Sequence, residues 1–413
     1  MHAHPHEHAH SHHPARPQSH GPDSAHGRRP SHSHGASRRA FLKSAALTAL
    51  FGPSLLEQSM MAAAQARAAE AANPSGEKLF DLNEIARGVY VARARPQLLV
   101  NSNACVIVSD DDVMVVDTHS KPSAARALIA QIREVTPKPV RYVVNTHFHF
   151  DHAQGNHAYP AAFPGGVRIL ASQATRDLLL ELGQKRLQAS VENVPQQIER
   201  LRRALENAGD EPTRAQLRAL IAQGEAYRKE MRDVPIDLPE VTFSDRMAVH
   251  AKGREIHLLL LGRAHTAGDV VVYLPKEKVV ATGDMAHGFL PYMGDSFPTE
   301  WPATLGKLRA LDFSRVAPGH GPAQEGKKLV ASFARYIEEI TGAVKAGIEK
   351  GKTVEELQRE ITPAALKSLA ADGYEQMLRE NYAKGSPAVP GLPPAFETSL
   401  RGNIADVYAK LKA

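Results

Sequence analysis

The sequence predicts an α/β fold in which two β-sheets pack face to face between outer layers of helices. Two series of short, apolar, β-like runs lie on either side of a long polar segment, and each run ends at turn-forming residues. The polar segment, about residues 173–234, and the C-terminal residues 326–413 instead repeat their apolar residues at helical spacing. Two strand-rich halves flanked by helices indicate a sandwich with a helical insertion and a helical C-terminal segment.

The β-like runs are short and follow one another closely. The first series comprises GVYVAR, NACVIVSD, DVMVVDT, VRYVVNT and VRILAS, and the second comprises VTFSDRMAVHA, EIHLLLLG, DVVVYLP, KVVATGD and RVAPGH. Between the third and fourth runs lies PSAARALIAQIREV, which has helical spacing and begins with proline, as many helices do. The sequence therefore predicts a strand at each run and a helix between the third and the fourth.

The first 72 residues differ in composition and are excluded from the predicted fold. Residues 1–36 contain eleven of the 21 histidines among Pro, Ser and Gly, and a segment of this kind is expected to be disordered. Residues 37–72 begin with SRRAFLK, continue with a short apolar stretch and end in an alanine-rich tract, an order that resembles a twin-arginine export signal. This resemblance predicts a periplasmic or extracellular protein whose mature chain has no stable membrane span.

Composition limits the partners and the redox chemistry. The net charge is +5, and no basic stripe with interleaved aromatics is present, which argues against a nucleic-acid partner. The single cysteine, Cys105, excludes an intrachain disulfide and lies in the apolar run ACVIV, so we expect a buried structural thiol. We expect a small-molecule substrate, and the sequence does not fix the oligomeric state.

Residues 145–156 read NTHFHFDHAQGN and bring four metal-binding side chains together. His147, His149, Asp151 and His152 fall within six positions, directly after the apolar run VRYVV. Alternate residues of a strand point to the same face, so a continuing strand would project His147 and His149 together before the chain turns at Asp151. Two sets of ligands from one loop suit two neighbouring metal ions.

The second half of the chain supplies further candidate ligands. His265, Asp284 and His320 each follow a β-like run and lie next to glycine, where a turn lets the backbone come close. A single histidine is more often a structural residue than a ligand, but the joint occurrence with the four-residue cluster favours a metal site. Imidazole and carboxylate ligands suit Zn²⁺, and also Mn²⁺ or Fe, so we expect two Zn²⁺ ions per chain.

These seven residues, in this order, resemble the metallo-β-lactamase superfamily over about residues 82–325. The resemblance implies an αββα sandwich with a dinuclear site on one edge. It also implies that His147, His149 and His265 hold the first ion, that Asp151, His152 and His320 hold the second, and that Asp284 bridges the two. Asp117, in MVVDTH, matches an aspartate that supports the ligands from behind. In this chemistry a hydroxide shared by the two ions attacks a carbonyl or related ester, thioester, lactone or amide, with Asp151 or Asp284 orienting it.

The predicted organisation has four parts, namely a disordered His-rich extension (1–36), a twin-arginine-like signal peptide (37–72), a catalytic domain (73–325) with its helical insertion (about 173–234), and a helical C-terminal extension (326–413).

The substrate stays open because a fold does not fix a substrate. A β-lactamase is one alternative, favoured by export, although Asp284 stands where one large subgroup of zinc β-lactamases has cysteine. A periplasmic metal-binding or metal-delivery protein is an alternative of another class, suggested by the His-rich extension; a storage site has no need of an ordered bridging aspartate. Phe289, Tyr292, Phe297 and Trp301 either form an apolar substrate wall or anchor their loop to the core.

Overall fold

The computed structural model describes residues 78–95, 102–164, 166–385 and 394–413. The His-rich extension and the signal-like segment both lie outside these ranges, so their predicted properties are not addressed by the structure. Within the described residues, thirteen strands form two sheets that pack against each other. Helices cover the outer face of each sheet.

The first sheet has seven strands in chain order. They are β1 (Phe80–Ala86), β2 (Val89–Ala94), β3 (Ala104–Val108), β4 (Val113–Val116), β5 (Val140–Val144), β6 (Arg168–Ser172) and β7 (Val241–Phe243). Strands β1 to β4 pair antiparallel, whereas β4 to β7 pair parallel. The carboxyl ends of β4, β5 and β6 therefore meet at one edge of the sheet.

The second sheet has six strands in the order β13-β12-β11-β10-β9-β8. They are β8 (Arg246–Ala251), β9 (Arg254–Leu259), β10 (Val271–Leu274), β11 (Val279–Gly283), β12 (Arg315–Pro318) and β13 (Gln324–Glu325). The pair β11–β12 is parallel, and the other pairs are antiparallel.

Alternation along the strands decides which side chains enter which layer. In β3, Cys105 and Ile107 belong to the apolar layer between the two sheets, while Ala104 and Val106 belong to the layer under the outer helices. This two-residue period is the geometry of a pleated strand, and both faces of the first sheet are apolar because both are covered.

The helices cover the outer faces and form the insertion. They are α1 (Pro122–Val135), α2 (Phe150–Ala153), α3 (Ala158–Ala162), α4 (Gln173–Leu178), α5 (Gln184–Asn207), α6 (Glu211–Met231), α7 (Trp301–Ala310), α8 (Lys328–Glu349), α9 (Val354–Glu360), α10 (Lys367–Ala370), α11 (Tyr374–Gly385) and α12 (Ala395–Lys412). Helices α1 and α3 cover the first sheet, and α7, α8 and the C-terminal helices cover the second. None of the helices in the described ranges is long and apolar enough to cross a bilayer.

The predicted α/β sandwich, with its helical insertion and helical C-terminal segment, is confirmed. Helix α1 has the bounds that its pattern predicts. One assignment was wrong: the run VTFSDRMAVHA splits at Ser244–Asp245, so that β7 belongs to the first sheet and only β8 to the second. Strand β1 was not predicted, because Asn83 and Glu84 are exposed and interrupt its apolar pattern.

Gly155 tests how closely the loop after α2 packs. A β carbon at Gly155 would overlap the carbonyl group of Thr118, whereas one at Gly306, in α7, would meet nothing within 4 Å. We expect Gly155→Ala to lower the free energy of unfolding by about 1–3 kcal/mol through overpacking. Gly306→Ala should raise it by up to about 1 kcal/mol, because alanine loses less backbone entropy in a helix. Urea unfolding of both variants measures this, and an unchanged midpoint for Gly155→Ala would contradict the close contact.

Candidate metal centre

The seven candidate ligands follow strand ends at one edge of the sandwich. Strand β5 ends at Val144, shortly before the motif from His147 to His152. Strand β11 ends at Gly283 and β12 at Pro318, so that Asp284 and His320 follow these ends closely. His265 lies in the connection between β9 and β10. The fold therefore brings side chains that are far apart in sequence to one place.

His147 and His149 do not lie on a strand, contrary to the alternation argument. The strand ends before them, and His149 is the residue that precedes the short helix α2, with extended backbone angles. They still converge, because His147 uses Nε2 and His149 uses Nδ1, and these two atoms lie 3.1 Å apart. A loop followed by a helical turn thus achieves what a regular strand was expected to do.

The ligand atoms fall into three overlapping groups. The first is His147, His149 and His265; the second is His147, His152 and Asp284; the third is Asp151, His152 and His320, and the ligand atoms within each group lie within 4.8 Å of one another. Asp284 lies between the outer groups: its Oδ2 is 3.6 Å from Nε2 of His265 and 3.2 Å from Nε2 of His320.

Hydrogen bonds behind three of the imidazoles direct one nitrogen of each ring towards the centre. His147 Nδ1 lies 3.0 Å from Thr146 Oγ1, and His152 Nδ1 lies 2.8 Å from Asp117 Oδ2. His149 is reversed, since its Nε2 lies 2.8 Å from Asp295 Oδ2. When the outer nitrogen donates to an oxygen, the inner nitrogen keeps its lone pair, which is the form that binds a metal ion.

Asp117 forms hydrogen bonds with the loop after β5 as well as with a candidate ligand. Its Oδ1 accepts a hydrogen bond from the Thr146 backbone N–H at 2.8 Å, and its Oδ2 accepts one from Thr146 Oγ1 at 2.9 Å. The residue itself has a positive φ of 67°, a strained conformation for a non-glycine residue, and its carboxylate reaches the loop after β5. The structure thus places the predicted supporting aspartate directly behind His152.

Buried charge governs the electrostatics of the site. Burial lowers the pKa of His265 to about 3 and that of His147 well below its usual value, so both rings are neutral. Burial also acts to lower the pKa of His320, but the carboxylates of Asp284 and Asp151 outweigh it and raise that pKa to about 10. The negative charge that holds a proton on this imidazole equally favours a divalent cation.

The donor set therefore fits two divalent metal ions. Five imidazoles and two carboxylates converge, and Asp284 Oδ1 is buried with no hydrogen-bond partner among the described residues. A buried carboxylate oxygen without a donor is costly unless a cation satisfies it. Nitrogen and oxygen ligands in these numbers are typical of Zn²⁺ sites.

Sequence reasoning missed two residues behind His149. Asp295 is buried and accepts from His149, and Arg186, in the helical insertion, donates to both oxygens of Asp295 at 2.6 and 2.8 Å. No motif marked Asp295, which stands eleven residues after Asp284 in an aromatic-rich loop. Arg186 is one of many charged residues on its helix, and only the fold shows which of them turns inward.

The four aromatic residues of that loop, Phe289, Tyr292, Phe297 and Trp301, were predicted either to form a substrate wall or to anchor the loop to the core. Trp301 is fully buried and donates from Nε1 to the Met285 carbonyl group at 3.0 Å, so it anchors the loop. Tyr292 is partly exposed, and its ring lies 5.6 Å from that of His149 and 6.4 Å from that of His265. Phe289 packs on Tyr382 of α11, and Phe297 lies beneath Arg263. The Trp301 ring also lies 5.6 Å from that of His265, so Tyr292 and Trp301 are the two of the four whose rings contact candidate ligands.

Comparison with protein families identifies the family to which the sequence is similar. The Metallo-beta-lactamase superfamily profile matches residues 98–320, more than half of the chain. This range contains all seven candidate ligands.

Curated relatives share parts of the chain. A linear primary-alkylsulfatase of a Pseudomonas species is 26% identical over 323 residues, which are 73% of this chain and 57% of that protein. A type 2 metallo-beta-lactamase of Bacteroides fragilis is 33% identical over 92 residues, 21% of this chain and 37% of that protein. The chain thus spans little more than half the length of the alkylsulfatase.

Solved structures include a metallo-beta-lactamase from Pontibacter korlensis. It is 19% identical, with a TM-score of 0.45, and the match covers 62% of this chain and 99% of that one. One from Erythrobacter litoralis is also 19% identical, with a TM-score of 0.45, over 64% of this chain and 98% of that one.

Asp117→Asn tests the support behind His152. An amide turned towards His152 Nδ1 would place a donor against a donor, which favours the tautomer that puts the proton on the inward nitrogen. We expect zinc affinity to fall about 10–100-fold, as is usual when a ligand loses its supporting carboxylate. Competition with a chromophoric chelator, using residues 73–413, measures this. Asp111→Asn, on the exposed turn after β3, is the matched control, and equal affinities for the two variants would contradict the assigned role.

Proposed function

Because this chain belongs to the metallo-beta-lactamase superfamily, we propose that it is an exported hydrolase that holds two metal ions and cleaves an ester-like bond of a small molecule. Zn²⁺ is the proposed metal, with Fe or Mn²⁺ as substitutes, because the ligands are imidazoles and carboxylates.

One observation carries this proposal, namely the position of Asp284 between two ligand groups. His147, His149 and His265 lie on one side and Asp151, His152 and His320 on the other. Asp284 Oδ2 lies 3.9 Å from Nε2 of His147, and Oδ1 lies 3.4 Å from Nε2 of His152. A carboxylate within reach of both groups supports a role as a bridge between two ions.

The chemistry follows from the residues around this bridge. Two divalent ions in such a site supply an activated water and polarise the bond to be cleaved. Asp151 and Asp284 hold the two ligand groups together and provide acceptor oxygens that can orient that water. Tyr292 covers His149 and His265 on one side, which limits access of bulk solvent there. Cys105 is no nucleophile, because burial raises the pKa of its thiol to about 12.

Sulfate and carboxylate esters are the substrates that we propose to test first. The alkylsulfatase matches 73% of this chain. A sulfate ester, like a carboxylate ester, offers a central atom that water can attack. β-Lactams are the second candidate, supported by the 33% identity to the Bacteroides fragilis enzyme over a shorter stretch. The chain's single cysteine is Cys105, so none of the seven proposed ligands is a cysteine.

His147→Ala and Asp284→Ala test the two-ion mechanism. His147 belongs to two of the ligand groups, and Asp284 lies between the outer two. We therefore expect the rate of hydrolysis to fall by more than about 100-fold in each variant. Far-UV circular dichroism should stay close to that of the parent chain, because the strands end before these residues. His257→Ala, a partly exposed residue of β9, is the control, and retained turnover in either ligand variant would refute the mechanism.

A substrate panel should accompany these variants. The zinc-loaded chain from residue 73 on would be assayed with chromogenic sulfate, carboxylate and thioester substrates and with a chromogenic β-lactam, with His147→Ala as background. Metal-dependent turnover of the esters alone would support the first candidate. Turnover of the β-lactam at ordinary enzyme rates, on the order of 1–1000 per second, would support the second.

Export is proposed on the strength of the sequence alone, since residues 37–72 lie outside the described ranges. Arg38→Lys together with Arg39→Lys should leave the precursor in the cytoplasm, because the receptor reads the arginine pair as an address. Immunoblots of periplasmic and cytoplasmic fractions measure this, and normal export of the double variant would exclude the twin-arginine route. A periplasmic metal-delivery role, the alternative of another class, would appear instead as export without any turnover in the substrate panel.

A further inference from the structure

The side chain of Arg186, in the helical insertion, binds the carboxylate that supports one of the candidate ligands. This residue lies near the start of α5, and its side chain is 30% exposed, whereas that of its partner Asp295 is 1% exposed. Nη1 and Nη2 donate to Oδ2 and Oδ1 of Asp295 at 2.6 and 2.8 Å, a two-point contact. Asp295 Oδ2 in turn accepts from Nε2 of His149 at 2.8 Å. Three side chains thus link the insertion to a proposed ligand.

Arg186 makes a second contact with the ligand motif itself. Its guanidinium group lies 4.9 Å from the ring centre of Phe148, the residue between His147 and His149. Phe148 is buried in a cluster with Leu178, Leu179 and Leu182, which belong to the helical turns just before α5. The insertion therefore packs against the ligand loop and also binds its supporting carboxylate.

The helix that carries Arg186 is irregular at the position where it meets the site. A π turn, Leu179–Gly183, separates α4 from α5. A π turn accommodates one extra residue, which rotates the face of the following helix by about 100° relative to a regular α-helix. Such turns are rare and occur frequently at functional sites. The irregularity here sets the face from which Arg186 leaves the helix.

The contact is better explained by positioning than by stability. A buried ion pair contributes little net stability, because removing both charges from water costs about as much as their attraction returns. Asp295 Oδ2 is shared between Arg186 and His149, so the ionised carboxylate receives the Nε2 proton of His149. That bond keeps the lone pair on Nδ1, which lies 3.1 Å from Nε2 of His147 and 3.0 Å from Nε2 of His265.

We propose that Arg186 is a positioning residue through which the helical insertion controls ion binding by the cluster of His147, His149 and His265. The inference rests on the proposed metal site. Because coupling between two sites is reciprocal, an ion bound by this cluster also stabilises the docked position of the insertion.

Arg186→Met in the full chain is the first test, with Arg202→Met as its matched control. Arg202 lies on the same helix and pairs with Glu199 and Glu225 at the surface. Titration with Co²⁺, followed by its visible absorption, reports binding to the site, and His147→Ala provides the baseline for cobalt bound elsewhere. Arg186→Met should bind about 10–100-fold more weakly, as when a ligand loses its supporting group. The cobalt affinity of Arg186→Lys should lie between those of the parent chain and Arg186→Met, because lysine keeps the positive charge but cannot make the two-point contact.

Hydrogen exchange of the amides in residues 179–190 is the second test, and it does not depend on activity. Zinc should slow exchange there in the parent chain and in Arg202→Met, and it should have no such effect in Arg186→Met. Asp295→Asn, which preserves the shape of the side chain, should behave like Arg186→Met and guards against a variant that merely misfolds.

The outcomes separate this inference from the proposed function. If the parent chain binds cobalt no better than His147→Ala, the metal site itself is wrong. If the parent chain binds cobalt, but Arg186→Met binds it as tightly as Arg202→Met and shows the same zinc-induced protection, the positioning role of Arg186 is wrong.

Discussion

The arrangement of the site depends on how the negative charge of four of the buried carboxylates at one edge of the sandwich is neutralised. They are Asp117, Asp151, Asp284 and Asp295. Asp117 is satisfied by His152 and Thr146, and Asp295 by Arg186 and His149. Asp151 and Asp284 face the imidazoles of His152 and His320. The outer pair thus fixes the rings from behind, while the inner pair concentrates negative charge where the proposed cations bind.

The backbone around this edge is adapted to the same requirement. Asp117 and His119 both have positive φ angles, so the chain leaving β4 turns sharply enough for the Asp117 carboxylate to reach the loop after β5. Gly319 packs so closely against Asp284 that a side chain there would overlap the carboxylate. Strain of this kind persists only when surrounding contacts determine it, and here the parallel pairing of β4 with β5 and of β11 with β12 provides them.

Much of this arrangement could be predicted from sequence because its signals are local. The strand alternation, the proline-started helix and the turn-flanked His and Asp residues each lie within a short window, and the ordered set of seven candidate ligands is informative as a whole. The prediction went wrong at the junction of β7 and β8, where one continuous β-like run serves two sheets. It also could not identify Asp295 or Arg186, whose contact joins residues 109 positions apart without any local pattern. Pairs of charged residues that are far apart in the sequence cannot be recognised from composition or periodicity.

The contacts of Arg186 indicate a role for the helical insertion that its composition does not suggest. The helical insertion is polar and lies between β6 and β7 of the first sheet, so its composition suggests an addition that could be removed. Its first turns nevertheless pack on Phe148 and hold the carboxylate behind His149. If ion binding and docking of the helical insertion stabilise each other, metal binding contributes to the free energy of folding. A twin-arginine route, as proposed for this chain, carries proteins that have already folded. Under that route the helical insertion would couple metal loading to folding. A chain without the ion held by His147, His149 and His265 would also lack a firmly docked insertion.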